Sequence, residues 1–336
     1  MESVYMAQLV KLQDYISRYQ IDLARYPTQF VRLKKNQWQR VKHQWETGEE
    51  IQRWEHIESE VVEETVGKPR FSFLRRFLPN QRPQEEEQDV ESVEVSNELD
   101  EDYIQEEETT LHFEPNIVYN PQTLDELKRM FADQFFHFQM KWASSTVREK
   151  SYVDPRFMRD SLLRTLLQGL PDSYLVFYLP ILRIKKAPIE LDILILTPTD
   201  CYIVKVLEEE NLAVYVGSGE RFWTKKVGKN EKKTLSPLVD LARTESVVAQ
   251  LFQQEGTEMP IRKVILSRNG YIDYPGSIYG VQFVDKRKFP EWMQQLKRSV
   301  SPMKHMQIRA AQAILKSTET TSFNRDIWNV EESNEK

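Results

Sequence analysis

Two ionisable residues stand where apolar ones belong. Asp192 lies in Ile189-Glu190-Leu191-Asp192-Ile193-Leu194-Ile195-Leu196, and Lys205 in Cys201-Tyr202-Ile203-Val204-Lys205-Val206-Leu207. A strand buried on both faces does not hold an aspartate or a lysine without a reason, because an unpaired buried charge is costly. Pro198-Thr199-Asp200 reads as a tight turn between the two runs, so the acid and the amine can converge at one sheet end. That pairing suits phosphodiester hydrolysis. The carboxylate holds Mg²⁺, which polarises the phosphate and acidifies water, while the lysine steadies the nucleophile or the developing charge. The alternative is a buried structural ion pair, or two residues at strand ends that reach water.

A second set of candidates lies further on. Lys225, Lys226, Lys229, Lys232 and Lys233 fall in a stretch read as a loop beside Trp223. Lysines there can follow a phosphate backbone while the indole stacks a base, or the stretch is a solvated connection. His43, His56, His112, His137 and His305 are scattered, so no zinc site is expected. Cys201 is the single cysteine, which excludes an intrachain disulfide, and it reads as a small buried apolar residue. Gly217-x-Gly219 lacks the third glycine of a nucleotide fingerprint.

The elements that would position these groups follow from pattern. Asp154-Pro155 starts a helix whose apolar face is Phe157, Leu162, Leu163, Leu166, Leu167 and Leu170, ended by Gly169 and Pro171. Strands are predicted over Tyr174–Leu179, Ile189–Leu196, Cys201–Leu207, Leu212–Val216 and Arg262–Leu266. Ser236-Pro237 opens a helix, serine capping, with Leu238, Leu241, Val248, Leu251 and Phe252 inward. Upstream, Thr123 and Glu126 have capping-box spacing ahead of a stripe of Leu127, Met130, Phe131, Phe135 and Phe138, which reads as core. Val4 to Trp45 reads as a helical hairpin broken at Pro27, with Arg32, Lys34, Lys35, Arg40 and Lys42 on a solvated basic face. Phe289–Leu296 and Met303–Leu315 read as two closing helices.

Between the outer segments, Lys68–Pro79 is aromatic and basic, and it reads as folding back onto the acidic run that follows. That run, from Gln84 to Glu108, has 13 acidic residues and no basic one; without them the net charge of −6 becomes +7. Its composition is that of a disordered linker, and the remainder is compatible with an anionic partner. The chain is therefore divided into a helical region (1–66), a basic-then-acidic linker (67–115), an α/β domain with a preceding helix (116–285), closing helices (286–317) and a flexible tail (318–336). No run is long enough to span a bilayer and the first residues lack the pattern of a signal peptide, so a cytoplasmic location is expected.

Taken together, these stretches resemble the nuclease-related NERD family. Ile189-Glu190-Leu191-Asp192 is similar to the family's Glu-apolar-Asp strand, and Tyr202-Ile203-Val204-Lys205-Val206 to the strand bearing its Glu-x-Lys. Ser236-Pro237-Leu238-Val239-Asp240 resembles its Asn-Pro-Leu-x-Gln helix start. Asp160 falls where the family has a helical glutamate, and Trp223 matches a tryptophan that closes a hairpin. The resemblance covers about a third of the chain. It implies a restriction-endonuclease-like α/β fold related to PD-(D/E)xK nucleases, a mixed sheet flanked by helices, here with extra N- and C-terminal helices. It also implies Asp160, Asp192, Asp240 and Lys205 as the catalytic set, and a role in nucleic-acid processing. Isoleucine at 203 replaces the metal-binding glutamate, and Asp240 could supply the missing oxygen beside Asp192. The expectation is a nucleic-acid-binding protein with cleavage lost or reduced. The alternatives are an active nuclease using Mg²⁺ held by Asp192 and Asp240, and a scaffold binding protein partners through its N-terminal helices.

Overall fold

Apolar runs become strands wherever turn residues bound them, and longer amphipathic segments become helices laid over the result. The computed structural model describes residues 4–47, 113, 115, 121–146, 148–184, 187–298 and 301–324. The Lys68–Pro79 stretch, the acidic run and the residues after 324 lie outside them. In chain order the strands are β1 (Gln8–Leu12), β2 (Glu149–Lys150), β3 (Leu175–Tyr178), β4 (Ile181–Ile184), β5 (Ala187–Glu190), β6 (Ile193–Leu196) and β7 (Cys201–Val206). They continue as β8 (Val214–Val216), β9 (Phe222–Val227), β10 (Asn230–Leu235), β11 (Ile261–Leu266), β12 (Tyr271–Asp273), β13 (Val281–Val284) and β14 (Phe323–Asn324). The α-helices among the described residues are α1 (Tyr26–Thr47), α2 (Leu124–Trp142), α3 (Pro155–Met158), α4 (Ser161–Gly169), α5 (Pro237–Gln254), α6 (Phe289–Arg298) and α7 (His305–Lys316).

Six strands in the order β1-β3-β6-β7-β11-β13 form a mixed sheet. Only β6 runs against the others, because a four-residue turn, Thr197 to Asp200, joins it to β7 as a hairpin. Helices flank this sheet. Leu163, Leu166 and Leu167 of α4, Phe131 and Phe135 of α2, and Trp292 of α6 share one core with Ile193, Ile195, Val204 and Val264. α5 lies over β7 and β11. A second sheet, β10-β9-β8-β12, stands apart from the first, and two short pairs, β4–β5 and β2–β14, complete the topology.

The fold class stands as expected from the sequence, and several elements differ from it. The first half of the expected N-terminal hairpin is a strand: β1 is buried throughout and pairs in parallel with β3. A strand enclosed on both faces has no alternation, so its apolar spacing imitates a helix. Gln139 of α2 fixes it, donating from Nε2 to Ala7 O at 3.0 Å. Pro27 sits in the first turn of α1 rather than breaking a helix, where its missing N–H costs nothing. Lys34 is not on a solvated face; it is buried and paired with Asp172, and burial holds its pKa below the usual lysine value. Ile189–Leu196 is two strands that part at Leu191-Asp192, and β5 turns away to pair with β4. The expected helix from Asp154 divides into α3 and α4, capped by Asp154 and Asp160. Thr123 caps α2 as expected, accepting from Glu126 N at 3.2 Å, whereas Ser236 makes no side-chain cap bond at α5. Phe113, placed in the linker by composition, is buried against Phe131, Phe135 and Phe138. Residues 318–324, read as tail, are fastened: Thr321 N donates to Asp14 O at 2.8 Å and β14 pairs with β2.

Lys11 joins the two ends of this unit. Its ammonium is fully buried, 3.2 Å from Gln20 Oε1 and 3.1 Å from Thr320 Oγ1. Burial pulls its pKa down to about 7, opposed by the charge of Asp14. An unfolded lysine keeps its proton to about pH 10. Between these two values the unfolded chain binds more protons, so stability rises with pH. Lys11→Met is expected to melt a few degrees above wild type at pH 6, with the gap closing toward pH 10, in thermal unfolding followed by circular dichroism. A gap that does not change with pH would exclude Lys11 as the source.

Candidate functional site

The hairpin register sets Asp192 beside Lys205. Ile193 pairs with Val204, and Asp192 is one step outside β6 while Lys205 is one step further along β7. The first turn of α5 lies over this end of the sheet and brings Asp240. The Lys205 ammonium stands 2.7 Å from Asp240 Oδ2 and 3.3 Å from Asp192 Oδ1. Thr244, one turn beyond Asp240 on α5, donates its hydroxyl to Asp192 Oδ2 at 2.8 Å. Asp192 is buried and the other two charged groups are about three-quarters covered. Burial works against the Lys205 charge, but the hydrogen bonds and charges of Asp240 and Asp192 outweigh it, and its pKa is held above the usual lysine value.

Of the four residues named as a catalytic set, three meet and one does not. Asp160 is spent locally: Oδ1 accepts from Leu162 N at 2.8 Å and Leu163 N at 3.0 Å, and Oδ2 accepts from the Tyr178 hydroxyl at 2.6 Å. It caps α4 and none of these bonds reaches the triad. Burial, then the charge and hydrogen bond of Asp160, push the Tyr178 phenol far up, so it stays a neutral donor. Both residues line a separate groove of about 560 Å³ at the carboxyl ends of β3, β7 and β11, with Arg156, Glu208 and Arg268. There Arg268 grips Glu208 through Nε at 2.8 Å and Nη2 at 2.7 Å.

The triad's donors do not suit a divalent cation. Mg²⁺ asks for open, octahedrally disposed oxygens. Here an ammonium already lies between the two carboxylates that would bind it, and a hydroxyl occupies the other Asp192 oxygen. Ile203, on the same strand face as Lys205, contributes only apolar surface. No step can be routed through a metal at this place without first displacing Lys205.

The second set of candidates is corrected by the pleat. The stretch holding Lys225, Lys226 and Lys229 is not a loop but the β9–β10 hairpin. Trp223 is 1% exposed, against Tyr274 and Phe283, and its Nε1 donates to Ser218 O at 3.1 Å, so it cannot stack a base. Lys225 points the same way and is held by Glu209 at 2.6 Å and Glu210 at 2.9 Å. Lys226 pairs with Glu231 at 2.8 Å, and Lys229 is exposed at the turn. Thr244 was missed by the sequence reading, although its place four residues after Asp240 puts it on the same helix face. The Tyr178–Asp160 and Arg268–Glu208 contacts join distant segments and leave no local signal.

A mixed sheet flanked by helices, with an acid and an amine on adjoining strands at one end, belongs to the class of nuclease-like α/β folds. Residues 157–267 match the nuclease-related domain family, NERD, the family that the sequence resembles. The chain is also 31% identical over 136 residues to a protein described as RNA 2',3'-cyclic phosphodiesterase from Geobacillus stearothermophilus, a match covering 40% of this chain. It spans 36%, about a third, of that relative's length. No solved structure matches the chain. Among the described residues no helix is long and apolar enough to cross a membrane.

Two substitutions test the geometry. Lys205→Ala leaves Asp192 covered and short of a countercharge, so it is expected to cost about 2–3 kcal/mol in urea unfolding. The triple variant Lys205→Met, Asp192→Asn, Asp240→Asn should recover most of that loss; no recovery would mean that the three residues do not act as a unit. Asp160→Ala removes a helix cap and is expected to cost about 1–2 kcal/mol, adding to the Lys205→Ala loss without coupling in a double-mutant cycle.

Proposed function

We propose that this chain is a nuclease-related protein that binds nucleic acid, with phosphodiester cleavage lost or strongly reduced. The observation that carries this reading is the Lys205 ammonium lodged between Asp192 and Asp240. Metal-dependent hydrolysis needs carboxylate oxygens turned toward a cation and a water, with the amine free to steady the incoming or departing charge. In this triad the amine neutralises the carboxylates, so neither role is open. What remains is a fold whose relatives are nuclease-related and a partly covered charged end of the sheet.

The substrate class follows the relative named for RNA 2',3'-cyclic phosphodiesterase, which favours RNA over DNA as the polymer bound. Because the match covers about a third of that protein, its whole activity is not carried over. The retained chemistry is recognition of a phosphodiester chain rather than its scission.

The test compares wild type with Lys205→Ala on labelled single- and double-stranded RNA and DNA, with Mg²⁺ or Mn²⁺ present. Binding without cleavage is expected for both proteins, with affinity falling as salt rises. Metal-dependent cleavage by wild type that disappears in Lys205→Ala would overturn the reading in favour of an active nuclease. Absence of binding to every polymer would remove nucleic acid as the partner.

A further inference from the structure

The second sheet has one covered face and one open face, and the pleat decides which residues each receives. Register fixes the assignment: Lys225 of β9 pairs with Tyr215 of β8, and Tyr215 with Ile272 of β12. These residues are buried together with Trp223. Their neighbours therefore form the other face: Phe222, Thr224 and Lys226 of β9, Lys233 and Leu235 of β10, Val214 and Val216 of β8, and Tyr271 of β12. Phe222 is 50% exposed and Leu235, its cross-strand partner, 41%. Phe222 and Leu235 lie side by side, so the bare apolar surface is a pair across two strands and not a scattered residue.

Two rings on this face each carry a guanidinium. Arg221 lies over Phe222 at 5.8 Å and Arg287 over Tyr271 at 5.4 Å. Strand spacing and rise place the two rings roughly 16 Å apart along a diagonal, with the small side chains Thr224, Val214 and Val216 between them. The hairpin from Phe222 to Leu235 holds five lysines and one acid, Glu231. Among the described residues Arg221 and Lys233 make no ion pair, so their charge is available to a partner.

We propose that this open face, β10-β9-β8-β12, is a platform for single-stranded RNA, with bases stacking on Phe222 and Tyr271 and the phosphates drawn to Arg221 and Lys233. A four-stranded sheet with separated aromatic rings receives two or three unstacked bases of a single strand, which a duplex does not offer. Base–aromatic stacking is indifferent to sequence, and the cations add a salt-dependent hold on the backbone. The hydroxyls of Thr224 and Tyr271 lie on the same face and can meet a ribose 2'-hydroxyl, which is why the commitment is to RNA. Glu231 on this face is neutralised by Lys226 at 2.8 Å, and Asp273 lies at the far end of β12, so the backbone is expected to run on the Arg221 and Lys233 side. The proposal rests on the nucleic-acid reading above and names its surface.

Fluorescence anisotropy with a labelled single-stranded RNA of about ten nucleotides tests it on the full chain. Phe222→Ala is expected to weaken binding at least fivefold, and Phe222→Tyr to keep it. Arg221→Ala with Lys233→Ala should flatten the dependence of log affinity on log salt by roughly 0.7 for each charge removed. Wild-type binding unchanged in Phe222→Ala and in the Arg221/Lys233 variant would overturn the platform while leaving the nucleic-acid reading in place. No binding by wild type would overturn both. Equal affinity for single-stranded DNA of the same sequence, or a preference for duplex RNA, would overturn the RNA assignment. If Phe222→Ala loses its native circular dichroism, the Arg221/Lys233 variant and its salt slope decide the matter.

Discussion

One ammonium ties three elements together. Lys205 of β7 meets Asp192 at the head of β6 and Asp240 on the first turn of α5, so one group sets both the hairpin register and the seat of the helix. Slipping the β6–β7 pairing by one residue would send Asp192 to the opposite face and set a charge against the core that holds Val204 and Val264. The triad thus gives the sheet end a single arrangement, with the Lys205 ammonium and the Thr244 hydroxyl engaging both oxygens of Asp192 and one of Asp240.

Much of the α/β core was legible from residue order. β3, β7, β11 and α5 lie where apolar runs bounded by proline, glycine and aspartate put them, and the acid–amine pair was visible as two interruptions in those runs. The illegible parts share a physical reason. β1 is enclosed on both faces, so it lacks the alternation that marks a strand, and its partner β3 is far away in sequence. Asp160 falls where the resembled family has a helical glutamate, and a carboxylate ahead of a leucine-rich helix suits a cap equally well; in the structure it accepts from Leu162 N and Leu163 N.

The β9–β10 hairpin shows how fine the distinction is. Trp223 and Phe222 are neighbours, and composition favours the larger ring for stacking. A period of two gives the indole to the interior and the phenyl to the open face. The lysines divide by the same rule: Lys225 goes inward to Glu209 and Glu210, and Lys226 and Lys233 go outward. Choosing between such neighbours requires knowing which face is covered, and that is set by Tyr274 and Phe283 from later segments.

The parallel pairing of β1 with β3 has a consequence for the order of assembly. As the polypeptide leaves the ribosome, Gln8–Leu12 emerges before its hydrogen-bonding partner Leu175–Tyr178, which comes more than 150 residues later. Until then an apolar segment with unsatisfied amides and carbonyls has no native neighbour along that edge. Such long-range closure slows folding and lengthens the time in which wrong partners can be captured. The contact of the Lys11 ammonium with Thr320 Oγ1 closes a longer loop still, across 309 residues.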